Sequence, residues 1–199
     1  MTPESLDPIA HARPQRWSAA LLRLAGWRLD LPPPPAPKVI LVVYPHTSNW
    51  DFLWGILAKW SCGWPVRWIG KDSLFRGPTG RLLRAWGGMP VNRAAPEGFI
   101  QTLLAEIEAA PTLLLAIAPE GTRRHVPYWK SGFLRLARAG HMPIGLVYID
   151  YARRIVGIRG YITASDDDAA DMARIAQAYE GVVARNPENA GSIRLHTPG

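Results

Sequence analysis

Apolar residues follow two alternating patterns along the chain, and together these patterns predict its secondary structure. Short runs rich in Val, Ile and Leu predict strands at residues 38–44, 66–70, 89–92, 112–118 and 143–149, and a further pair of strands around residues 155–163. Longer segments with apolar residues three and four positions apart predict helices at residues 49–61, 78–86, 96–109, 131–139 and 167–184. This alternation predicts an α/β fold: a single layered domain whose helices flank a largely parallel, mixed sheet.

The segment before residue 38 has a different pattern. Residues 17–29 predict a short amphipathic helix, whose apolar face carries Trp17, Ala20, Leu21, Leu24 and Trp27. Such a helix reaches only ~20 Å, which is too short to cross a bilayer. It is either an interfacial membrane anchor or a helix packed on the domain. The prolines of residues 32–37 form a stiff linker, so we predict an arm, helix and linker at residues 1–37 and the main domain at residues 38–199.

Composition narrows the classes of function. The formal net charge of +7 favours anionic partners such as nucleic acid, acidic lipid or a phosphorylated substrate. The nine tryptophans suit a membrane interface, although Trp is also common in cores. A single cysteine, Cys62, excludes an intrachain disulfide and favours a reducing compartment. The chain has no phosphate-binding glycine-rich motif, no serine-hydrolase elbow and no paired-cysteine zinc motif, which disfavours those chemistries.

One candidate site lies where the predicted strand at residues 38–44 gives way to a helix. His46 is suited to accept a proton from a hydroxyl, because imidazole titrates close to neutral pH. Asp51, in the first helical turn, could bond the other ring nitrogen, fix its tautomer and stabilise the imidazolium. Alternatively, Ser48 and Asp51 fit a capping box, which would make Asp51 structural. The spacing alone leaves both interpretations open.

A second polar cluster, Glu120 to Arg123, follows the predicted strand at residues 112–118. In open α/β sheets, ligands bind in the crevice outside the carboxyl ends of the strands. Gly121 would let the backbone approach a ligand, and Arg123 could hold a phosphate through two parallel hydrogen bonds. An ordinary turn followed by a solvated arginine is the alternative interpretation.

Four segments, in this order, resemble the sequence blocks of the glycerolipid acyltransferase family, whose type member is lysophosphatidate acyltransferase. They are the span from His46 to Asp51, residues 87–93, Pro-Glu-Gly-Thr-Arg at residues 119–123, and residues 142–147. The resemblance covers about residues 39–149. Pro45, Asn92 and Ala118 stand where the family usually has Asn, Asp and Phe, which leaves the lipid acceptor open.

The resemblance implies an O-acyltransferase that moves a fatty acyl group from acyl-CoA or acyl carrier protein to a hydroxyl of a lyso-phospholipid or related lipid. His46 is then the general base and Asp51 its orienter. Because a thiolate is a good leaving group, no covalent nucleophile is needed. The substrate-binding residues implied are Arg93, Glu120, Gly121, Thr122 and Arg123.

We expect no bound cofactor and no metal, since the acyl-CoA or acyl carrier protein is a substrate, and residues that bind a cofactor are not predicted. The expected partners are the lipid acceptor, the thioester donor and a membrane surface, with no nucleic acid. The expected location is peripheral, on the cytoplasmic side of the cell membrane. The oligomeric state is left open. The alternative function is a non-catalytic module that binds anionic membrane or nucleic acid through the basic residues 67–93.

Overall fold

The computed structural model describes residues 12–91 and 96–196. In this part of the chain the strands are β1 (Arg28–Asp30), β2 (Lys38–Tyr44), β3 (Val66–Lys71), β4 (Gly88–Val91), β5 (Leu113–Ile117), β6 (Ile144–Asp150) and β7 (Ile155–Ile162). The α-helices are α1 (Arg16–Leu24), α2 (Asn49–Cys62), α3 (Gly77–Ala85), α4 (Pro96–Ala109), α5 (Gly132–Ala139) and α6 (Asp168–Ala178). Short 3-10 helices lie at Asp72–Phe75 and Pro187–Asn189.

The strands form one mixed sheet in the order β1-β7-β6-β2-β5-β3-β4. Neighbouring strands are parallel throughout, except that β6 and β7 run antiparallel. The predicted α/β fold with a largely parallel, mixed sheet is therefore confirmed. Because β2 lies near the middle of the sheet, between β6 and β5, the loop that follows it opens where the parallel strands end together.

Helices cover both faces of the sheet, and the alternating side chains of β2 show this division. Ile40 and Val42 pack into a core with residues of α4, α5 and α6, whereas Val39 and Leu41 face the opposite side. There, α1 and α2 contribute Leu22 and Leu57 to a separate cluster. Burial on both faces explains why the strands are continuous apolar runs rather than alternating ones.

Three predicted elements differ from the structure. The helix predicted to end at residue 29 ends at Leu24, because Gly26 adopts a positive φ of 75° and turns the chain into β1. The pair of strands predicted around residues 155–163 is one continuous strand, β7, which the long antiparallel pairing with β6 holds together. The last predicted helix stops at Ala178 rather than residue 184, and the turns beyond it include Gly181 with φ 71°.

The N-terminal helix α1 is packed on α2 along one side and exposed along the other. Ser18 and Ser61 place their hydroxyl oxygens 3.1 Å apart, and the rings of Trp17 and Trp60 are 5.3 Å apart. The exposed side nevertheless carries Leu21 and Leu24, at 47 and 84% relative exposure, and Trp17 itself remains 51% exposed beside Trp60. After α1, strand β1 pairs with β7 and so belongs to the same sheet as the other strands. The domain boundary that the sequence predicts at residue 37 stays a prediction.

Candidate active site

His46 and Asp51 lie together, as the sequence predicts, in the loop from β2 into α2. The His46 Nδ1 atom is 3.5 Å from Asp51 Oδ2. The imidazole is 20% exposed, whereas the Asp51 side chain is only 1% exposed. An imidazole open to the solvent side and backed by a buried carboxylate is the arrangement that acid–base catalysis requires. The separation exceeds a normal hydrogen bond, and catalytic bonds of this kind commonly tighten only when substrate binds.

The alternative interpretation of Asp51, as part of a helix cap, is also correct. Its Oδ2 atom accepts the backbone N–H groups of Thr47 at 2.7 Å and Ser48 at 2.8 Å. The Ser48 hydroxyl accepts the N–H of Trp50 at 3.2 Å, and Ser48 and Asp51 together form the capping box of α2. The same Asp51 oxygen, Oδ2, therefore caps α2 and faces His46. The first turn of α2 thus fixes the position of the carboxylate beside His46.

Asp51 has a further partner that sequence reasoning missed. The hydroxyl of Tyr151, just beyond β6, donates to Asp51 Oδ1 at 2.7 Å. Burial by itself would raise the pKa of Asp51, but the adjacent His46 imidazole and hydrogen bonds from Tyr151 and the Ser48 backbone outweigh it and lower that pKa. Asp51 is consequently charged at neutral pH and able to stabilise an imidazolium. No sequence signal marks Tyr151, since it lies 100 residues from Asp51 and outside every recognised block.

Glu120 lies directly behind the His46 loop rather than facing open space. It is buried, and its Oε2 accepts the backbone N–H of His46 at 2.7 Å while Oε1 accepts that of Gly191 at 2.8 Å. Burial, together with the nearby Asp51 charge, raises the pKa of Glu120 to about 7. Both carboxylate oxygens are already used within the protein, which favours an anchoring role over the predicted contact with substrate.

The rest of the third block does face the cavity beside His46. Gly121 turns the chain with a φ of 66°, and the methylene end of Lys130 lies close enough that a Cβ atom on Gly121 would sit 3.1 Å from it. Thr122 is half-buried, whereas Arg123 is exposed. Arg93, the other predicted phosphate ligand, lies outside the described residues. The structure therefore brings His46, Asp51 and residues 120–123 together.

A cavity of about 1490 Å³ connects these polar residues with apolar walls. His46, Asp51, Gly121, Thr122, Arg123 and Lys130 contribute its polar lining. Where α2 faces the sheet, the lining is apolar and includes Leu41, Val43, Gly55, Ile56 and Ala116. The backbone of Gly55 has open space in front of it, since a Cβ atom there would meet nothing within 4 Å. The site thus combines a proton acceptor, cations and an apolar space.

Cys62 also lines the cavity but is not poised as a nucleophile. Its burial raises the pKa of the thiol to about 11, so the reactive thiolate is scarce at neutral pH. Neighbouring Lys59 donates to the carbonyl of Trp86 at 2.6 Å.

Within the described ranges 12–91 and 96–196, no group of three or more His, Cys, Asp or Glu side chains is placed to hold a metal ion. Among the helices of those ranges, none is long and apolar enough to cross a membrane.

The C-terminal segment, residues 185–196, joins the two loops that carry the site. The Asn186 side-chain amide donates to the carbonyl of Thr47 at 3.0 Å, and the carbonyl of Gly191 accepts the Tyr44 hydroxyl at 3.2 Å. On the other loop, the N–H of Trp129 donates to the carbonyl of Arg194 at 2.8 Å. No sequence motif marks this segment, so its contribution to the site emerges only in three dimensions.

Residues 33–150 match the sequence model of the Acyltransferase family. The chain belongs to this family. The matched range contains His46, Asp51 and the Pro-Glu-Gly-Thr-Arg block, so the resemblance drawn from the four sequence blocks is confirmed. For this acyltransferase chain, none of the curated protein sequences gives a match.

A solved structure has the same fold as this acyltransferase chain. It is the 1-acyl-sn-glycerophosphate acyltransferase PlsC from Thermotoga maritima, with a TM-score of 0.55 and 17% sequence identity. The match covers 84% of this chain and 74% of the other. At this identity the likeness extends to the fold, in agreement with the α/β sheet described above.

Proposed function

We propose that this protein is a glycerolipid O-acyltransferase. It would transfer a fatty acyl group from acyl-CoA or acyl carrier protein to a hydroxyl of a lyso-phospholipid or related lipid. The observation that carries the proposal is the His46–Asp51 pair, which lines one cavity together with Arg123 and the apolar residues of α2 and the sheet. Membership of the Acyltransferase family and the fold shared with PlsC support it.

The chemistry follows from the position of the pair. His46 Nε2 accepts the proton of the acceptor hydroxyl as the oxygen attacks the thioester carbonyl carbon. The Asp51 carboxylate, facing Nδ1, stabilises the imidazolium that forms. The tetrahedral intermediate then collapses, the carbon–sulfur bond breaks, and the imidazolium returns the proton to the departing thiolate. The products are an ester and a free thiol, and no acyl-enzyme intermediate is formed.

The cavity has an apolar and a cationic part, which suit the acyl chain and the anionic headgroup of the substrates. The apolar walls around Gly55, Ile56 and Leu41 offer an acyl chain the burial that stabilises it by about 0.8 kcal/mol per methylene group. The exposed Arg123 suits a phosphate or another anionic headgroup, because its guanidinium can form two parallel hydrogen bonds to it. Arg93 would be a second ligand for that group, as the family resemblance implies.

We also propose that the protein docks peripherally on the cytoplasmic side of a membrane through α1. The exposed side of this helix has the composition of an interfacial helix, with Trp17, Leu21 and Leu24 beside Arg16 and Arg23. Replacing Leu21 and Leu24 by Glu should release the protein from anionic vesicles without lowering its Tm, because neither side chain is buried. Vesicle binding that is unchanged by this double substitution would place the docking surface elsewhere.

The alternative function, a basic module that binds anions through residues 67–93, gains no support from the structure. Part of that charge is paired on the surface, because Arg67 pairs with Glu106 at 3.1 Å and Arg76 with Asp72 at 3.4 Å. Arg84 lies over the ring of Phe75 at 5.2 Å. The two ion pairs reduce the positive charge available to an extended anionic partner, whereas Arg84 keeps its charge.

A thiol-release assay tests the proposal. The purified protein would be mixed with acyl-CoA or acyl carrier protein thioesters and with a panel of lyso-phospholipids and uncharged lipid alcohols. We expect thiol release that depends on the acceptor, together with the matching ester detected by mass spectrometry. The control omits the acceptor and reports thioester hydrolysis alone. Hydrolysis without ester formation for every acceptor, or no thiol release with any donor, would contradict the proposed function.

A further inference from the structure

We infer that Tyr151 is a positioning residue for the catalytic base, acting through Asp51. Its hydroxyl donates to Asp51 Oδ1 at 2.7 Å, on the carboxylate oxygen that neither His46 nor the helix cap uses. Tyr151 follows β6, one residue beyond the matched family range, and none of the four sequence blocks contains it. The inference rests on the proposed function, since it concerns the role of His46 as a base.

The need for a second anchor follows from the freedom of an aspartate side chain. The terminal torsion of Asp has broad, roughly two-fold minima, so rotamer preference does not fix the plane of its carboxylate. The N–H groups of Thr47 and Ser48 hold only Oδ2, and the plane could still turn about that oxygen. The bond from Tyr151 holds Oδ1 as well and thereby fixes the plane that faces His46 Nδ1.

Tyr151 is itself held firmly enough to act as an anchor. Its backbone N–H donates to the carbonyl of Val183 at 2.9 Å. Its ring meets the edge of Trp27 at a centroid distance of 5.1 Å. The guanidinium of Arg185 lies 5.8 Å from the centre of the ring. Trp27 lies between α1 and β1, whereas Val183 and Arg185 belong to one segment after α6, so two separate parts of the chain hold Tyr151.

The charged groups around this hydroxyl are few. Asp51 on α2 accepts its hydrogen bond, and Arg185 of the C-terminal segment lies over its ring. His46 faces the other carboxylate oxygen of Asp51, and Glu120 bonds the backbone of His46. Burial, followed by the adjacent Asp51 carboxylate, raises the pKa of Tyr151, so the phenol remains protonated and donates throughout the neutral range.

The chain offers a matched control three residues before Tyr151. Tyr148 of β6 also donates its hydroxyl to a carboxylate, that of Asp30 at 3.2 Å, and it does not line the cavity beside His46. Tyr148→Phe therefore removes a tyrosine–aspartate bond without touching the site. A difference between Tyr151→Phe and Tyr148→Phe isolates what the bond to Asp51 contributes.

The kinetic test compares these two variants in the presence and absence of Asp51→Asn. We expect Tyr151→Phe to lower kcat by about 10-fold, as for one lost hydrogen bond to a charged group, with little change in KM. On the Asp51→Asn background the same substitution should cost less than about 2-fold, because residues that act through one another are not additive. Tyr148→Phe should leave kcat unchanged. An equal loss on both backgrounds, or unchanged activity of Tyr151→Phe, would overturn the inference.

A substrate-free measurement separates this inference from the proposed function. The ring ¹⁵N chemical shifts of His46 report which nitrogen carries the proton. In the wild-type protein and in Tyr148→Phe we expect the tautomer with the proton on Nδ1, facing Asp51. Tyr151→Phe should populate a mixture of tautomers. An unchanged tautomer in Tyr151→Phe would reject the inference, whereas a mixture in a protein with no acyltransferase activity would retain it and reject only the proposed function.

Discussion

The two loops that carry the candidate site are built differently. The loop from β2 to α2 buries its polar groups, and Thr47 and Asp51 find their partners within the protein. The loop after β5 leaves its cations exposed, and in the described part of the chain neither Arg123 nor Lys130 forms a salt bridge. A fixed loop suits proton transfer, which depends on geometry. Exposed cations suit a ligand that brings its own negative charge.

Glu120 joins the two loops. Although it belongs to the second loop by sequence, its carboxylate bonds the backbone of His46 in the first. The same carboxylate also bonds Gly191 of the C-terminal segment. The third sequence block therefore contains two different kinds of residue: Glu120 is buried and bonds the His46 backbone, whereas Arg123 is exposed beside the cavity.

The largest effect within this comparison should come from Asp51→Asn. Removal of the charge that faces His46 should lower kcat by ~10², within the usual worth of positioned acid–base catalysis. The matched control is Ser48→Ala, which removes the capping hydroxyl but leaves the pair intact, and should cost only about 1 kcal/mol of stability. Measurements of kcat and Tm for both variants check this. Equal kcat losses in the two variants would show that Asp51 acts only as a helix cap and does not orient His46.

A smaller effect is expected from Arg123→Lys. The substitution keeps the charge but loses the two parallel hydrogen bonds, so kcat/KM for a phosphorylated acceptor should fall by ~10-fold. Arg124→Lys is the matched control, because Arg124 is equally exposed but does not line the cavity. An acceptor without phosphate should be insensitive to either change. Identical behaviour of the two lysine variants on the phosphorylated acceptor would make Arg123 a solvated arginine.

The smallest effect concerns the pH dependence of stability. Because the pKa of Glu120 rises from 4.5 to about 7 on folding, the folded protein binds more protons than the unfolded chain between these values. The contribution of Glu120 to the free energy of unfolding is therefore fully present below about pH 4.5, and it is lost as pH rises through about 7. Urea unfolding between pH 4.5 and 7.5 should show this slope in the wild type and a flatter one in Glu120→Gln. Parallel slopes in the two proteins would show that Glu120 titrates normally.

The parts of the site that depend on short chain separations could be predicted from the sequence. The five-residue spacing from His46 to Asp51 and the strand before it place the pair together, and β2 has the predicted bounds. The contacts of Tyr151 with Asp51 and of Gly191 with Glu120 span 100 and 71 residues. Neither contact involves a motif or a periodic pattern, so only the folded sheet reveals them. At the N-terminus, the helical spacing of apolar residues continues to Trp27 and predicts a longer helix. The backbone instead turns at Gly26, so α1 ends at Leu24.

The proposed reaction depends most directly on His46 as the general base. Its decisive measurement is kcat of His46→Ala on the best acceptor, alongside a thermal melt of the same preparation. We predict a loss of ~10² to 10⁴ in kcat with an unchanged Tm, because the imidazole is 20% exposed and lines the cavity rather than packing in the core. Full turnover by a folded His46→Ala protein would contradict the account.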